Sequence, residues 1–591
     1  MSRRTLYFIY FLVCIASFLY FPKWKLSGTE ATLSWDTAGY YWYLPATFIY
    51  DDLELLAFSQ DILDKYQNTS HFYQAFEYEN GNMVMKYPMG MALQFLPFFL
   101  IAHFIAPILG FSADGFSLPY QFAIHLESFL FALFGLWFLR KILLNYFSEK
   151  LSSLVLISVY LGTNYLSFSS IENAMTHNYL FTWNAFLIYN TIKYNQERKL
   201  KYILFIGLSL GISILTRPTE IVSALIPLFW NFDLNRGGGW KAWFTDLAKQ
   251  WRHVLLVGGI VFAFGFFQLL YYKLIGGDWL IYAYQDQGFS FLSPHVYKYL
   301  FSYEVGWLLY NPLFFLVPFG LMWAIKSRKE GSVAMLIYVT IYLYVVTAWD
   351  YWLYGARAMV QSYAVLGIFL GFAFEKLLKQ KVLKWALGFL IIFCFYYNLW
   401  WTHGVHRGAY YDAYNSTKAY FKHTFLRWRV PLEYKKLYDA DEIFIGERQA
   451  VNVLKFENFE NDSIVAAKGF YLNNSVCDAI NSNLEFSQPI VCEIQKNENN
   501  WLRVSADFYT EKREGDLWKM PQMVVQIKMD DHLVKRSFFR TSRILSECKI
   551  QKLYLDVKKP DEPFNKLEAL VWSAYSDKLY LIDNVRVDEF R

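Results

Sequence analysis

Acids, isolated cations and aromatic residues recur in the segments that separate the apolar runs of this 591-residue chain. One such segment begins Ser34-Trp35-Asp36-Thr37-Ala38-Gly39-Tyr40-Tyr41 and continues through Glu77-Tyr78-Glu79 to Lys86-Tyr87-Pro88-Met89-Gly90. Others hold Glu172-Asn173-Ala174-Met175-Thr176-His177, Thr216-Arg217-Pro218-Thr219, and Trp349-Asp350-Tyr351-Trp352-Leu353-Tyr354-Gly355-Ala356-Arg357. A carboxylate such as Asp36 can take a proton from a sugar or lipid hydroxyl. Lys86, Arg217 and Arg357 are of the types that hold phosphate, lysine as a point charge and arginine through a planar fork. The rings of Tyr87, Trp352 and Tyr354 offer faces for a sugar. A base, cations for a leaving phosphate and aromatic faces are what transfer of a sugar from a lipid phosphate requires.

Composition sets the frame that must position these groups. Hydrophobic residues make up 55% of the chain, aromatic residues 21% and charged residues only 18%, and the apolar residues are gathered in long blocks, as in a polytopic membrane protein. The net charge of +5 is small for the length. Basic residues cluster between apolar blocks, which argues against a nucleic-acid surface and gives them a topological role. The five cysteines fit no metal pattern. Cys477 and Cys492 could pair if the C-terminal part lies outside the cytoplasm, leaving Cys548 odd.

The N-terminus, Ser2-Arg3-Arg4 followed by Leu6 to Phe21, has a basic start and an apolar middle but no small-residue cleavage site, so it reads as a retained first helix. The clusters around Arg140, Lys193, Arg236, Lys326 and Lys376 mark cytoplasmic loops. Apolar stretches near 117–139, 151–168, 178–193, 202–215, 219–231, 254–275, 306–324, 333–348, 358–374 and 385–400, with the first helix, give about eleven transmembrane helices. The stretch Tyr87 to Leu109, interrupted by Pro88, Pro97 and Pro107, reads instead as an interfacial or re-entrant helix at the outer face. This topology places Asp36, Lys86, Glu172, Arg217, Arg357 and the C-terminal part on one side.

After about residue 405 the pattern changes to period-two runs such as Trp501-Leu-Arg-Val-Ser-Ala-Asp-Phe-Tyr and Leu579-Tyr-Leu-Ile-Asp-Asn-Val-Arg-Val, separated by turn residues. That alternation predicts an antiparallel β-sandwich, jelly-roll-like in its closing strand. The expected organisation is a transmembrane catalytic domain over 1–404, a connector over 405–439 and an extracytoplasmic sandwich over 440–591.

The ordered set of motifs over roughly residues 1–400 resembles the GT-C superfamily of polyprenyl-phosphate-sugar glycosyltransferases, in particular the branch of protein O-mannosyltransferases and the aminoarabinose transferase. The resemblance implies a GT-C-like membrane domain, Asp36 as catalytic acid–base residue, Glu172 as a second acid, and donor-phosphate contacts from Lys86 and Arg357. It also implies an inverting glycosyltransferase of the cytoplasmic (inner) membrane that uses a polyprenyl-phosphate sugar donor and an envelope lipid, glycan or protein acceptor, with its site on the extracytoplasmic side. The sequence departs from the family pattern in carrying one proline after Lys86 in place of two, and Glu-Asn before a Thr-His pair in the second outer loop.

Each residue also has a plainer reading. Asp36 could cap a helix, Lys86 and Arg357 could anchor spans at headgroups, and Trp352 and Tyr354 could belong to an interfacial aromatic belt. His177 reads more readily as a hydrogen-bonded interfacial histidine than as a substrate contact. Arg217 is costly in hydrocarbon and favours a polar cavity. No metal ligand set is required, a divalent ion held by Asp36 and Glu172 being the lesser alternative. A polymerase or ligase moving lipid-linked glycans would need the same phosphate handling. A transporter or flippase would place its ionisable groups at mid-membrane with internal repeats, and neither is seen.

Overall fold

The computed structural model describes residues 1–232, 239–350, 354–408 and 416–591. The chain divides into two compact units, Met1–Arg407 and Gly408–Arg591.

The first unit is helical. A backbone in hydrocarbon must satisfy its hydrogen bonds internally, and long apolar runs do so as helices. Among the described residues six helices are long and apolar enough to cross a membrane: Ser2–Lys25, Gly90–Ile108, Leu118–Tyr146, Trp251–Ile275, Gly355–Leu377 and Lys381–His406. Shorter apolar helices cover Leu200–Thr216, Pro218–Phe229, Pro312–Lys326 and Ser332–Ala348. The chain is an integral membrane protein. The expected interruption at 87–109 does not occur: the helix Gly90–Ile108 runs unbroken through Pro97, and Pro107 stands next to its end. At 19 residues it is long enough to cross, so its reading as an interfacial or re-entrant element does not follow from its length.

Two apolar clusters fill this unit. One joins the first helix to Leu136, Leu139, Val155, Val159, Phe181, Ile188 and the almost wholly buried helix Tyr363–Leu377. The other is built largely from the segments that separate the first apolar helices. Trp42 is enclosed by Phe58, Phe72 and Phe116, with ring centroids at 5.6, 5.3 and 4.8 Å, and Tyr41 donates to the Gly115 carbonyl at 2.5 Å. The helices Trp35–Tyr41 and Tyr43–Phe48 and the hairpin of β1 (Ala75–Glu77) and β2 (Met83–Met85) therefore belong to a packed body rather than a loose loop.

The second unit carries eight main strands: β3 (Asn452–Glu457), β4 (Ile490–Glu493), β5 (Trp501–Tyr509), β6 (Gln522–Met529), β7 (His532–Arg540), β8 (Gln551–Lys558), β9 (Lys566–Trp572) and β10 (Tyr580–Phe590). They form two antiparallel sheets, ordered β7-β6-β9-β4 and β8-β5-β10-β3. Alternate residues such as Leu502, Val504, Ala506 and Phe508 of β5, and Val525, Ile527, Leu567 and Ala569 from the other sheet, meet in one core, which is the inward-facing alternation of a β-sandwich. Residues read from sequence as connector belong to this unit: Asp439 is clasped by Arg540 and Arg543. Cys477 and Cys492 are free thiols and do not pair. Cys477 is buried with Leu472, Ala479 and Leu581, whereas Cys492 packs against the main sandwich core.

Gly90 couples the two halves of the site described below. A Cβ there would strike the backbone of Leu215 and Thr216, so the absence of a side chain lets the segment carrying Lys86 and Tyr87 approach the one carrying Arg217. Gly90→Ala is expected to destabilise the membrane unit by about 1–3 kcal/mol, the scale of an overpacked contact, seen as a lowered Tm in detergent. An unchanged Tm would show that the approach tolerates a side chain.

Candidate active site

Asp36 occupies the first turn of the helix Trp35–Tyr41, entered through Trp35 in the left-handed region at φ +48°. Its side chain does not cap that helix. Oδ1 accepts hydrogen bonds from the Tyr87 hydroxyl at 2.8 Å and the Tyr73 hydroxyl at 3.0 Å. Oδ2 meets Nη2 of Arg357 at 2.6 Å. The pair is largely but not fully enclosed, with 18% of the Asp36 and 22% of the Arg357 side chain exposed. Burial pushes the Asp36 carboxyl up, but the Arg357 charge and the hydrogen bonds from Tyr87, Arg357 and Tyr73 outweigh it and hold the group below the usual aspartate range.

Local packing explains why these donors converge. The hairpin ends at Met85, whose N–H donates to the Tyr271 hydroxyl at 3.0 Å, and the Lys86 N–H then donates to the Gln74 carbonyl at 2.9 Å. Tyr87 lies against the face of Gly39, where a Cβ would strike its ring, and meets Tyr40 edge-on at 4.8 Å. Arg357 follows two residues in the left-handed region, Gly355 at φ +65° and Ala356 at φ +49°. That turn is fixed by Asn164, which donates to the Gly355 carbonyl at 2.8 Å.

Lys86 sits among three phenol rings, its Nζ 5.6 Å from Tyr73, 5.8 Å from Tyr284 and 5.9 Å from Tyr87, an arrangement in which ring faces attract the ammonium. Burial pulls its pKa down against the opposing pull of Asp36 and Asp286. Lys86 and Arg217 make no ion pair among the described residues. Tyr284 marks where the charges meet: burial raises its hydroxyl pKa, Arg217 and Arg357 lower it, and Asp36 raises it.

Glu172 belongs to an adjoining cluster. Lys23 grips both of its oxygens, at 2.9 and 3.1 Å, and His406 Nδ1 stands 3.9 Å away while its Nε2 bonds the Ser167 hydroxyl at 2.8 Å. Burial raises the Glu172 carboxyl, and the charges of Lys23, His406 and Arg357 bring it below the ordinary range. His177 is fully buried, its Nδ1 3.0 Å from Gln361 Oε1. Gln361 in turn donates to Glu220 at 2.9 Å, and Glu220 also accepts from Asn184 and Ser223 at 3.1 Å each. Trp352 lies outside the described residues, and Tyr354 begins the 3-10 stretch Tyr354–Ser362.

The structure thus brings Asp36, Lys86, Tyr87 and Arg357 together, with Arg217 acting on the same Tyr40 and Tyr284 hydroxyls as Asp36 and Arg357, sets Glu172 in its own ion pair, and leaves His177 in a buried polar chain. Sequence reasoning missed Tyr73, Tyr284, Lys23, Gln361 and Glu220. Only Glu220 carried a signal, as an acid at the start of an apolar stretch. Among the described residues no three His, Cys, Asp or Glu side chains are gathered as for a metal ion.

No family model and no curated protein matches the chain. Among solved structures it is similar to ArnT from Cupriavidus metallidurans in the apo state, with a TM-score of 0.44 and 12% identity over 70% of this chain and 67% of that one. A form of the same protein bound to undecaprenyl phosphate gives a TM-score of 0.41 and 13% identity over 70% and 68%. The oligosaccharyltransferase of Archaeoglobus fulgidus in the apo form gives 0.40 and 12% over 71% of this chain and 57% of that one. Likeness at this level carries no assignment of chemistry, which has to come from the residues themselves.

Because the native state holds Asp36 below its unfolded pKa, its ionisation stabilises the fold above the ordinary aspartate value and that contribution is lost as pH falls through the native pKa. Asp36→Asn is therefore expected to lower Tm at neutral pH, with the gap to wild type closing below about pH 4. A gap that stays constant down to pH 3 would place the stabilisation elsewhere.

Proposed function

We infer that the chain is a membrane glycosyltransferase that moves a sugar from a polyprenyl-phosphate-linked donor to a hydroxyl of an envelope lipid, glycan or protein, at the outer face of the cytoplasmic membrane. The observation that carries this reading is one carboxylate, Asp36, held by two phenols and Arg357 beside two further cations, Lys86 and Arg217, that have no ion-pair partner among the described residues. A site whose central acid, Asp36, is already engaged by Arg357, and which carries Lys86 and Arg217 besides, suits an anionic ligand.

In this reading the acceptor oxygen attacks the anomeric carbon as the bond from that carbon to the phosphate oxygen breaks. The acceptor proton passes to Asp36, the electron pair stays on the departing lipid phosphate, and inversion follows from the single displacement. Lys86, Arg217 and Arg357 neutralise that phosphate, so the reading assigns to side chains what a divalent ion would otherwise supply. Tyr87 and Tyr73 position Asp36. Glu172, clasped by Lys23, and His177, joined through Gln361 to Glu220, act as positioning residues. The sandwich would lie on the same outer side. Apart from the β6–β7 pair its successive strands pass between the two sheets, as in a jelly roll; this sandwich outside the cytoplasm and about eleven spans in the membrane unit make up the proposed architecture.

The test is transfer from a polyprenyl-phosphate sugar by purified full-length protein, following release of polyprenyl phosphate. Asp36→Asn is expected to lower turnover roughly a hundredfold or more, the scale of a lost general base. Arg357→Lys should also impair it, because lysine keeps the charge but not the fork. Near-wild-type turnover in folded Asp36→Asn protein would return Asp36 to a structural role. Mass spectrometry of envelope glycans from cells lacking the chain would name the sugar and acceptor through the one that disappears.

A further inference from the structure

Arg357 faces two anions in the proposed reaction: the carboxylate it holds and the phosphate assigned to it. The two are not equivalent demands. Asp36 keeps its place without the guanidinium, since Tyr73 and Tyr87 both donate to Oδ1 and only Oδ2 is given to Arg357. The Tyr87 ring that fixes Oδ1 also lies 5.9 Å from Lys86 Nζ, so the cation cluster adjoins the pair. An incoming phosphate would meet Lys86 and Arg217, neither with an ion-pair partner among the described residues, and then compete with a carboxylate for the third cation. The contact at 2.6 Å, on a partly exposed pair, is with one carboxylate oxygen, and a guanidinium that holds a carboxylate can hold phosphate oxygens in its place.

Resting on the function inferred above, we propose that Arg357 is an exchangeable counter-ion: without donor it neutralises Asp36, and a prenyl-linked phosphate draws it away. Donor binding thereby secures the leaving group and releases the base in one event. An Asp36 carboxylate tied to a guanidinium is a poor proton acceptor. The exchange therefore keeps the site inactive toward hydroxyls, water included, until a donor is bound, and it sets donor before acceptor. No new atom or cofactor is needed, because the guanidinium passes from one oxyanion to another.

Linkage makes this measurable. If carboxylate and phosphate compete for one guanidinium, removing the carboxylate's charge must tighten phosphate binding, by roughly fivefold or more on the usual scale of coupled sites. Full-length protein in detergent would be titrated with farnesyl phosphate, with farnesol as the control lacking the anion. Asp36→Asn, and Asp36→Ala as a second variant should the first not fold, are expected to bind farnesyl phosphate more tightly than wild type with farnesol unchanged. Arg357→Ala should bind it more weakly. In the double variant Asp36→Asn/Arg357→Ala the gain should vanish, because the shared partner is gone. Saturable binding that is equal or weaker in the folded Asp36 variants overturns the exchange while leaving the transferase reading intact. A gain that persists in the double variant overturns it too. Absence of phosphate-dependent binding in wild type and variants alike overturns both.

Discussion

The ion pair between Asp36 and Arg357 joins residues 321 positions apart and is the contact around which the membrane unit is arranged. A partly enclosed carboxylate is stable only if its lost hydration is replaced. Here the replacement comes from three directions: one phenol from the segment before β1, one from the residue after Lys86, and one guanidinium from a late outer segment. The two phenols hold Oδ1 in place and Arg357 supplies the charge at Oδ2, so the packing that delivers the phenols is constrained as tightly as the charges are.

That packing rests on close approaches more than on propensity. Gly39 lets the Tyr87 ring lie on the helix that bears Asp36, and Gly90 lets the following helix touch the backbone just before Arg217. The enclosure of Trp42 by three rings holds the outer segments as one body. Arg357 is delivered by a left-handed turn at Gly355 and Ala356, a conformation that costs a non-glycine residue about 1 kcal/mol or more and is secured by the bond from Asn164. Flexible outer loops would surrender the site's geometry to entropy.

The sequence foretold a good deal of this. Hydropathy placed the apolar helices because hydrocarbon leaves the backbone few alternatives, and period-two alternation placed the sandwich because sheet faces alternate at every residue. Asp36, Lys86, Arg217 and Arg357 stood out because charge is costly beside apolar blocks. The prolines at 87–109 do not interrupt the helix, since a proline inside a helix breaks only the bonds it touches and Gly90–Ile108 continues past Pro97. Tyr73 and Tyr284 were not legible: in a chain with 46 tyrosines, the two beside the lysine and the carboxylate differ from the rest only in where folding puts them. Lys23, just past the first apolar stretch, could not be matched to Glu172 across 149 residues without the fold.

In the proposed transfer the distribution of the site's cations favours a reaction over mere binding. A phosphate within a sugar–phosphate–lipid diester carries about one negative charge, and the departing lipid phosphate approaches about two. Cations already satisfied by carboxylates would gain little from that change. In the proposed reaction Lys86, held by ring faces, and Arg217 would gain most as the leaving oxygen acquires charge, because their interaction with it grows. Stabilisation that increases along the reaction coordinate lowers the barrier, whereas uniform binding would only deepen the ground state. The phenols around Lys86 contribute by keeping the ammonium in place without neutralising it, which is the one thing a carboxylate partner could not do.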